Sequence, residues 1–136
     1  MEPQPDAAPL LKIGEVAEQV GLSLRTIRFY EEEGLVVPDG RTEGGFRLFS
    51  PTAVHRLELI KRMKPLGFSL EEMVEVLTTL DTLADPHHDA GDAPALAALL
   101  DAYGDKVAAK AADLQAKAAR GREFGGHLRD VADRHR

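Results

Sequence analysis

The stretch IGEVAEQVGLSLRTIRFYEEEGLV, residues 13–36, decides the fold. Ile13, Val16, Ala17 and Val20 fall on one stripe at helical spacing, which predicts a short helix over 13–20. Gly21-Leu22 breaks it. Ser23 can N-cap a second helix running to about Glu33, with Leu24, Ile27 and Tyr30 as its buried stripe. Gly34 closes that helix, as glycine commonly does past a helix C-terminus. Two short helices joined by a glycine turn make a helix-turn-helix. Small Ala17 suits a close helix crossing, and branched Ile27 packs the second helix onto the first. Arg25, Arg28 and Phe29 then face outward. A segment of this kind needs something to touch, yet the chain as a whole carries a formal net charge of −6.

Downstream, residues 36–49 read VVPDGRTEGGFRLF. Gly44-Gly45 marks a tight turn between extended segments, a β-hairpin with Arg41 and Arg47 near its tip. Ser50-Pro51 opens a third helix as N-cap and first residue, with Val54, Leu57, Ile60 and Met63 as its apolar stripe. Pro65 and Gly67 end it. Ser69-Leu70-Glu71-Glu72 is a capping box, with Phe68 and Met73 placed for a hydrophobic staple. The helix it starts is expected to reach about Leu80 and to bury Leu70, Met73, Val74 and Leu77.

Bulk properties bound the function. The chain has 136 residues and is 43% hydrophobic, too apolar for a disordered chain. Residues 1–10 read as a disordered lead-in, without the basic and apolar regions of a signal peptide. No apolar run is long enough for a membrane span, and cysteine is absent, so a cytoplasmic protein fits best. Between Val20 and Lys64 there are 8 basic residues against 6 acidic ones, so the charge distribution permits nucleic-acid binding without predicting it. No nucleophile–base pair, phosphate loop or cofactor fingerprint is present; the chain does not read as an enzyme, and no cofactor is expected.

Residues 11–80 resemble the DNA-binding domain of the MerR family of bacterial transcriptional regulators. The stretches that carry the likeness are residues 13–36, the wing RTEGGFRLFS and the segment AVHRLELIKRMKPLGFSLEEMVEVL. The resemblance implies a mainly α protein: a winged helix-turn-helix, a second wing from the two following helices, and a long C-terminal dimerisation helix. It implies a homodimer, double-stranded promoter DNA as ligand, and RNA polymerase as a neighbour at the promoter. The second helix would then lie in the major groove, with Arg25 and Thr26 near its N-terminus. Arg25 is placed for a base edge or nearby phosphate, and Arg28 for a phosphate. Phe29 can pack on a thymine methyl or a sugar, and Tyr30 can bury its ring and offer its hydroxyl, or be purely core. Arg41 and Arg47 belong to the wing, and Arg62 and Lys64 to the second wing. Glu31, Glu32 and Glu33 lie beyond the contact end of the helix, and Arg56 and Lys61 read as surface charges. The family's wing usually reads Gly-Tyr-Arg-x-Tyr; here it is Gly45-Phe46-Arg47-Leu48-Phe49, so both hydroxyls are missing and the rings are left to pack the wing.

Residues 81–94, with two prolines and four aspartates, read as a connector. Residues 95–120 are alanine-rich and strongly helical. Leu100, Val107 and Leu114 repeat every seven residues; Leu96 and Tyr103 add a second row, and Ala111 and Ala118 flank the seam. This is a short coiled-coil pattern, and the resemblance implies an antiparallel pairing with a second copy. Gly121, Gly125 and Gly126 are expected to weaken the helix, leaving a tail over 121–136 with one or two amphipathic turns.

What the chain senses stays open. Thiolate sensing of soft metals is excluded by the lack of cysteine. Asp85, His87, His88, Asp89 and His127 are candidates for a harder nitrogen–oxygen metal site, against the plainer reading of a polar loop. A small apolar ligand, a protein partner or no effector are the alternatives. Beside the transcription regulator stand an architectural, excisionase-like DNA-bending protein and a coiled-coil adaptor that binds no DNA.

Overall fold

The structure, a computed structural model, describes residues 9–136. The expected lead-in falls mostly outside these residues. The chain forms two compact units, one ending at Asp85 and one over Pro86–Arg136.

The first unit opens with a two-residue strand, β1 (Leu11–Lys12), which runs directly into α1 (Ile13–Val20). Lys12 N–H donates to the Glu15 carboxylate at 3.0 Å, which fixes the first turn of α1. Gly21 ends the helix at φ +73°, a left-handed conformation that costs glycine least, and its N–H returns to the Ala17 carbonyl at 2.9 Å. Ser23 then caps α2 (Leu24–Glu32), its hydroxyl accepting from Thr26 N–H at 3.1 Å. Gly34 closes α2 at φ +78°. Its N–H bonds Glu31 O at 3.0 Å and the N–H of Leu35 bonds Tyr30 O at 2.9 Å, the paired bonds of a Schellman motif.

The hairpin pairs β2 (Gly40–Arg41) with β3 (Arg47–Phe49). β1 adds to the other side of β3, so the sheet has three antiparallel strands in the order β1-β3-β2, with Leu11 opposite Phe49 and Arg41 opposite Arg47. Strand β1 was not expected; two residues ahead of a helix carry no alternation to read. Ser50 caps α3 (Pro51–Met63), accepting from Ala53 N–H at 3.2 Å. The Ser50 N–H itself donates to Asp39 at 2.9 Å, tying the root of the hairpin to the start of α3. A 3₁₀ turn over Lys64–Leu66 leads to α4 (Leu70–Ala84), which starts with the expected capping box: Ser69 Oγ accepts from Glu72 N–H at 3.1 Å and Glu72 accepts from Ser69 N–H at 3.0 Å.

One aliphatic core joins these pieces. Val16, Val20, Ile27, Leu35, Val36, Phe49, Leu57, Ile60 and Leu77 are essentially inaccessible, with Tyr30, Met73 and Phe68 beside them. Three expected core residues are not in it. Leu24 is 40% exposed because it opens α2, at the free end of its stripe. Val74 is 44% exposed. The buried face of α4 centres on Met73 and Leu77, and at about 100° per residue Val74 is turned roughly 60–100° from both. Leu70 is only half-buried.

Helix α4 also continues to Ala84 rather than stopping near Leu80. Nothing in Asp81–Ala84 breaks a helix; the stop is Asp85, extended at ψ 118° because Pro86 follows it.

The second unit has a 3₁₀ turn (Ala90–Asp92) and a single long helix, α5 (Ala93–Arg134). Pro94 falls in the first turn, where a missing N–H costs nothing. The expected interruption at Gly121, Gly125 and Gly126 does not occur, since the helix runs through all three. Glycine lowers helix propensity by about 1 kcal/mol without removing a hydrogen bond, and the alanine, arginine and glutamate residues around Gly121 are strong helix formers. Among the described residues, no helix is long and apolar enough to cross a membrane.

Candidate nucleic-acid interface

The cap at Ser23 and the Schellman close at Gly34 fix α2 at both ends, and Ile27 and Tyr30 seat it in the core. The opposite side is set by that anchoring. Arg25, Arg28 and Phe29 are exposed, and they lie within about 100° of arc on one face. Neither arginine has an ion-pair partner among the described residues. Thr26 is less available, because its hydroxyl accepts from Ser23 Oγ at 2.8 Å inside the cap. Tyr30 has its ring buried and tilted against Phe29, with centroids 5.7 Å apart at 52°.

The wing stands beside this face. Its turn is closed by Gly45 N–H on Thr42 O at 2.9 Å and Thr42 N–H on Phe46 O at 2.8 Å. Arg41 donates back to Gly45 O at 3.2 Å, so its guanidinium braces the tip. Phe49 is fully buried and packs the wing as expected. Phe46 does not: it is 69% exposed at the tip, its ring beside Gly44. A surface groove lined by Lys12, Gly14, Arg28, Phe46 and Arg47 runs between the N-terminal end of α1 and the wing, with Glu15 and Glu18 on its α1 side. Cations, exposed backbone at a helix start and an aromatic ring in one groove can hold a phosphate–sugar chain.

Glu31, in the last turn of α2, is tied to the wing. Its carboxylate meets Arg47 Nε at 2.7 Å, an ion pair rather than an aligned hydrogen bond, with side-chain exposures of 14% for Glu31 and 38% for Arg47. The sequence held a signal for this. Glu31 is four residues after Ile27, hence on the buried edge of α2, where a carboxylate needs a cation.

On the second wing, Arg62 and Lys64 are exposed at the end of α3 and in the turn after it, again without ion-pair partners among the described residues. Arg56 and Lys61, expected as plain surface charges, are tied into the fold instead. Arg56 donates through Nε to Leu35 O at 2.9 Å and pairs with Asp81, joining α3 to the end of α2 and to α4. Lys61 Nζ donates to Val20 O at 2.6 Å, at the C-terminal end of α1, where carbonyls lack helical partners and a cation is favoured.

In the second unit, Leu96, Leu100, Tyr103 and Val107 are half-buried along α5, whereas Ala111, Leu114 and Ala118 are exposed. No residue of α5 is buried. The candidate metal ligands do not converge. His88 pairs with Asp92, Asp89 caps the 3₁₀ turn by accepting from Gly91 N–H at 3.0 Å, and His127 lies far along α5. Among the described residues, no three histidine or carboxylate side chains are grouped to hold a metal ion.

The chain is similar to transcription regulators. Residues 11–80 match the family described as MerR HTH family regulatory protein, and residues 54–131 match the one described as MerR, DNA binding. The mercuric resistance operon regulatory protein of Bacillus cereus is 46% identical over 70 residues, covering 52% of this chain and 53% of that protein. This chain therefore aligns with about half the length of that relative. Among solved structures, a MerR family regulator lacking the sensor domain, HiNmlR, bound to promoter DNA, superposes with a TM-score of 0.62 at 26% identity, over 79% of this chain and 76% of that one. A putative MerR family regulator from Listeria monocytogenes gives 0.64 at 28% identity, over 85% and 82%.

Proposed function

Because the chain belongs to the MerR family, we propose that it is a sequence-specific DNA-binding transcriptional regulator working as a homodimer on promoter DNA. The observation that carries this reading is the unpaired, outward Arg25 and Arg28 of α2 beside the Arg47 wing. Arg25, at the N-terminal end of α2, reads a base edge; Arg28, Arg41, Arg47, Arg62 and Lys64 grip phosphates; Phe29 packs on a sugar or thymine methyl. Residues 11–80 form the DNA-binding part.

Dimerisation falls to α5. A helix of 42 residues with no buried side chain and an apolar row at Leu96, Leu100, Tyr103, Val107 and Leu114 lacks the packing that normally stabilises a helix of a globular protein. A second copy laid antiparallel on that seam supplies it. The dimer holds two half-sites at a fixed spacing and bends or untwists the DNA between them, at about 1–6 kcal/mol, so that RNA polymerase meets both promoter elements on one face. A DNA partner of this kind places the protein in the cytoplasm.

Selection of bound duplexes from a random pool, followed by footprinting, tests the reading. The expected product is an inverted repeat with half-sites spaced by one helical turn or a multiple of it. Absence of any enriched motif overturns it.

A further inference from the structure

We infer that Glu31 is a positioning residue for the wing: it locks the Nε edge of Arg47 so that the remaining guanidinium nitrogens are held toward a DNA phosphate. The inference rests on the DNA-binding reading above. Three observations carry it. The Arg47 Nε atom is buried and faces the Glu31 carboxylate at 2.7 Å. Glu31 itself is largely sequestered on the core edge of α2, while the Arg47 side chain keeps 38% of its surface open. Arg47 also lines the groove that holds Arg28, Phe46 and the start of α1.

A guanidinium offers five N–H donors in a rigid plane. With the Nε edge buried against a carboxylate, the planar group can turn only within a narrow range, so the ion pair reduces the rotamer freedom that a phosphate contact must otherwise overcome. The pair also bridges elements. Glu31 belongs to α2 and Arg47 to β3, so the contact ties the helix directly to the wing. Glu32, its neighbour, is exposed and makes no ion pair among the described residues.

This arrangement gives a sign that simple electrostatics does not. Removing a carboxylate near DNA should strengthen binding by lessening repulsion. Glu32→Gln should do so, leaving affinity equal or higher. Glu31→Gln, the same chemical change one residue earlier, should weaken binding roughly 3- to 10-fold, a part of the worth of one oriented charge-assisted contact in each half-site. In an Arg47→Ala background the Glu31→Gln effect should vanish or turn into a gain.

The experiment is fluorescence-anisotropy titration of a duplex taken from the random-pool selection with wild type, Glu31→Gln, Glu32→Gln, Arg47→Ala and the Glu31→Gln/Arg47→Ala double variant. Thermal melts confirm that each is folded. NMR of the Arg47 Nε–Hε group, without DNA, gives an independent readout: a protected, dispersed resonance in wild type that collapses toward the exposed-arginine position in Glu31→Gln. Tighter binding by Glu31→Gln in both backgrounds, or an unchanged Arg47 resonance, overturns the positioning role while leaving the regulator reading intact. A wild type that selects no DNA overturns that reading, and this role falls with it.

Discussion

Replacing Arg25 with alanine should change which DNA is bound, whereas replacing Lys64 should change only how tightly DNA in general is held. Both side chains are exposed and lack ion-pair partners among the described residues, so neither truncation uncovers a buried charge. The magnitudes follow from their places. If Arg28, Arg41, Arg47, Arg62 and Lys64 meet phosphates as proposed, and two copies bind, the complex makes about ten such contacts, and the logarithm of affinity should fall with the logarithm of salt at a slope near −9. Between about 50 and 200 mM salt that amounts to roughly a 10⁵-fold loss. Lys64→Ala removes two of the ten and should bring the slope to about −7, with equal losses on selected and scrambled duplexes. Arg25→Ala should cost about 1–3 kcal/mol per half-site on the selected duplex and little on a scrambled one. Anisotropy titrations of both duplexes at four or five salt concentrations measure all of this. A wild-type slope shallower than about −3 would contradict the phosphate count. An equal loss on both duplexes for Arg25→Ala would show that Arg25 reads no base.

The wing gives a gain-of-function test. Phe46 is exposed, so Phe46→Tyr should leave the melting temperature alone while adding about 0.5–1.5 kcal/mol of DNA affinity through a phosphate hydrogen bond; unchanged affinity means that the ring faces elsewhere. Lys61→Met should lower stability by about 1 kcal/mol, since it strips the cation from Val20 O, and a melt should fall by about 4–8 °C for a domain of this size; an unchanged melt would return Lys61 to the solvated surface. Leu114→Asp should put an unpaired carboxylate into the α5 seam and shift the sedimenting species to monomer at micromolar concentration, and an intact dimer would place the interface elsewhere.

Local signals in this chain were legible because each is a short-range physical demand. The caps at Ser23, Ser50 and Ser69 and the closing Gly34 follow from unpaired N–H and C=O groups at helix ends, and the helices start where those residues stand. The helix-turn-helix and the hairpin were legible for the same reason, whereas their assembly into a winged fold was what the family resemblance implied. What periodicity could not supply was the identity of partners far along the chain. Arg56 and Lys61 lie on the outer side of the α3 stripe, and only the tertiary fold brings Asp81 and Val20 O to them. Strand β1 exists only because β3 is there to pair with it. Helix ends set by weak breakers misled in a different way. Asp81 and Thr82 after Leu80 and the glycines after Arg120 are poor helix residues but remove no backbone bond, whereas Pro86 does, and α4 stops ahead of it.

The acidic net charge, which weighs against a DNA partner, loses its force once the acids are traced to their contacts. In the first unit Glu15 and Glu72 accept backbone N–H groups at helix starts, Asp39 accepts from Ser50, Glu31 holds Arg47, and Asp81 holds Arg56. Each is turned toward its own fold, and the helix-start carboxylates are further offset by the positive end of the helix dipole. The cations divide in the opposite way. Arg25, Arg28, Arg62 and Lys64 are exposed with no internal counter-charge among the described residues. A phosphate at one of these side chains responds to charges within a Debye length, about 8 Å at physiological ionic strength, not to the sum over 136 residues. Exposed Glu32 and Glu33 at the end of α2, Glu43 at the wing tip and Glu18 on the groove remain within reach of that face, so the unpaired arginines act against a local acidic background rather than against the net charge of the whole chain.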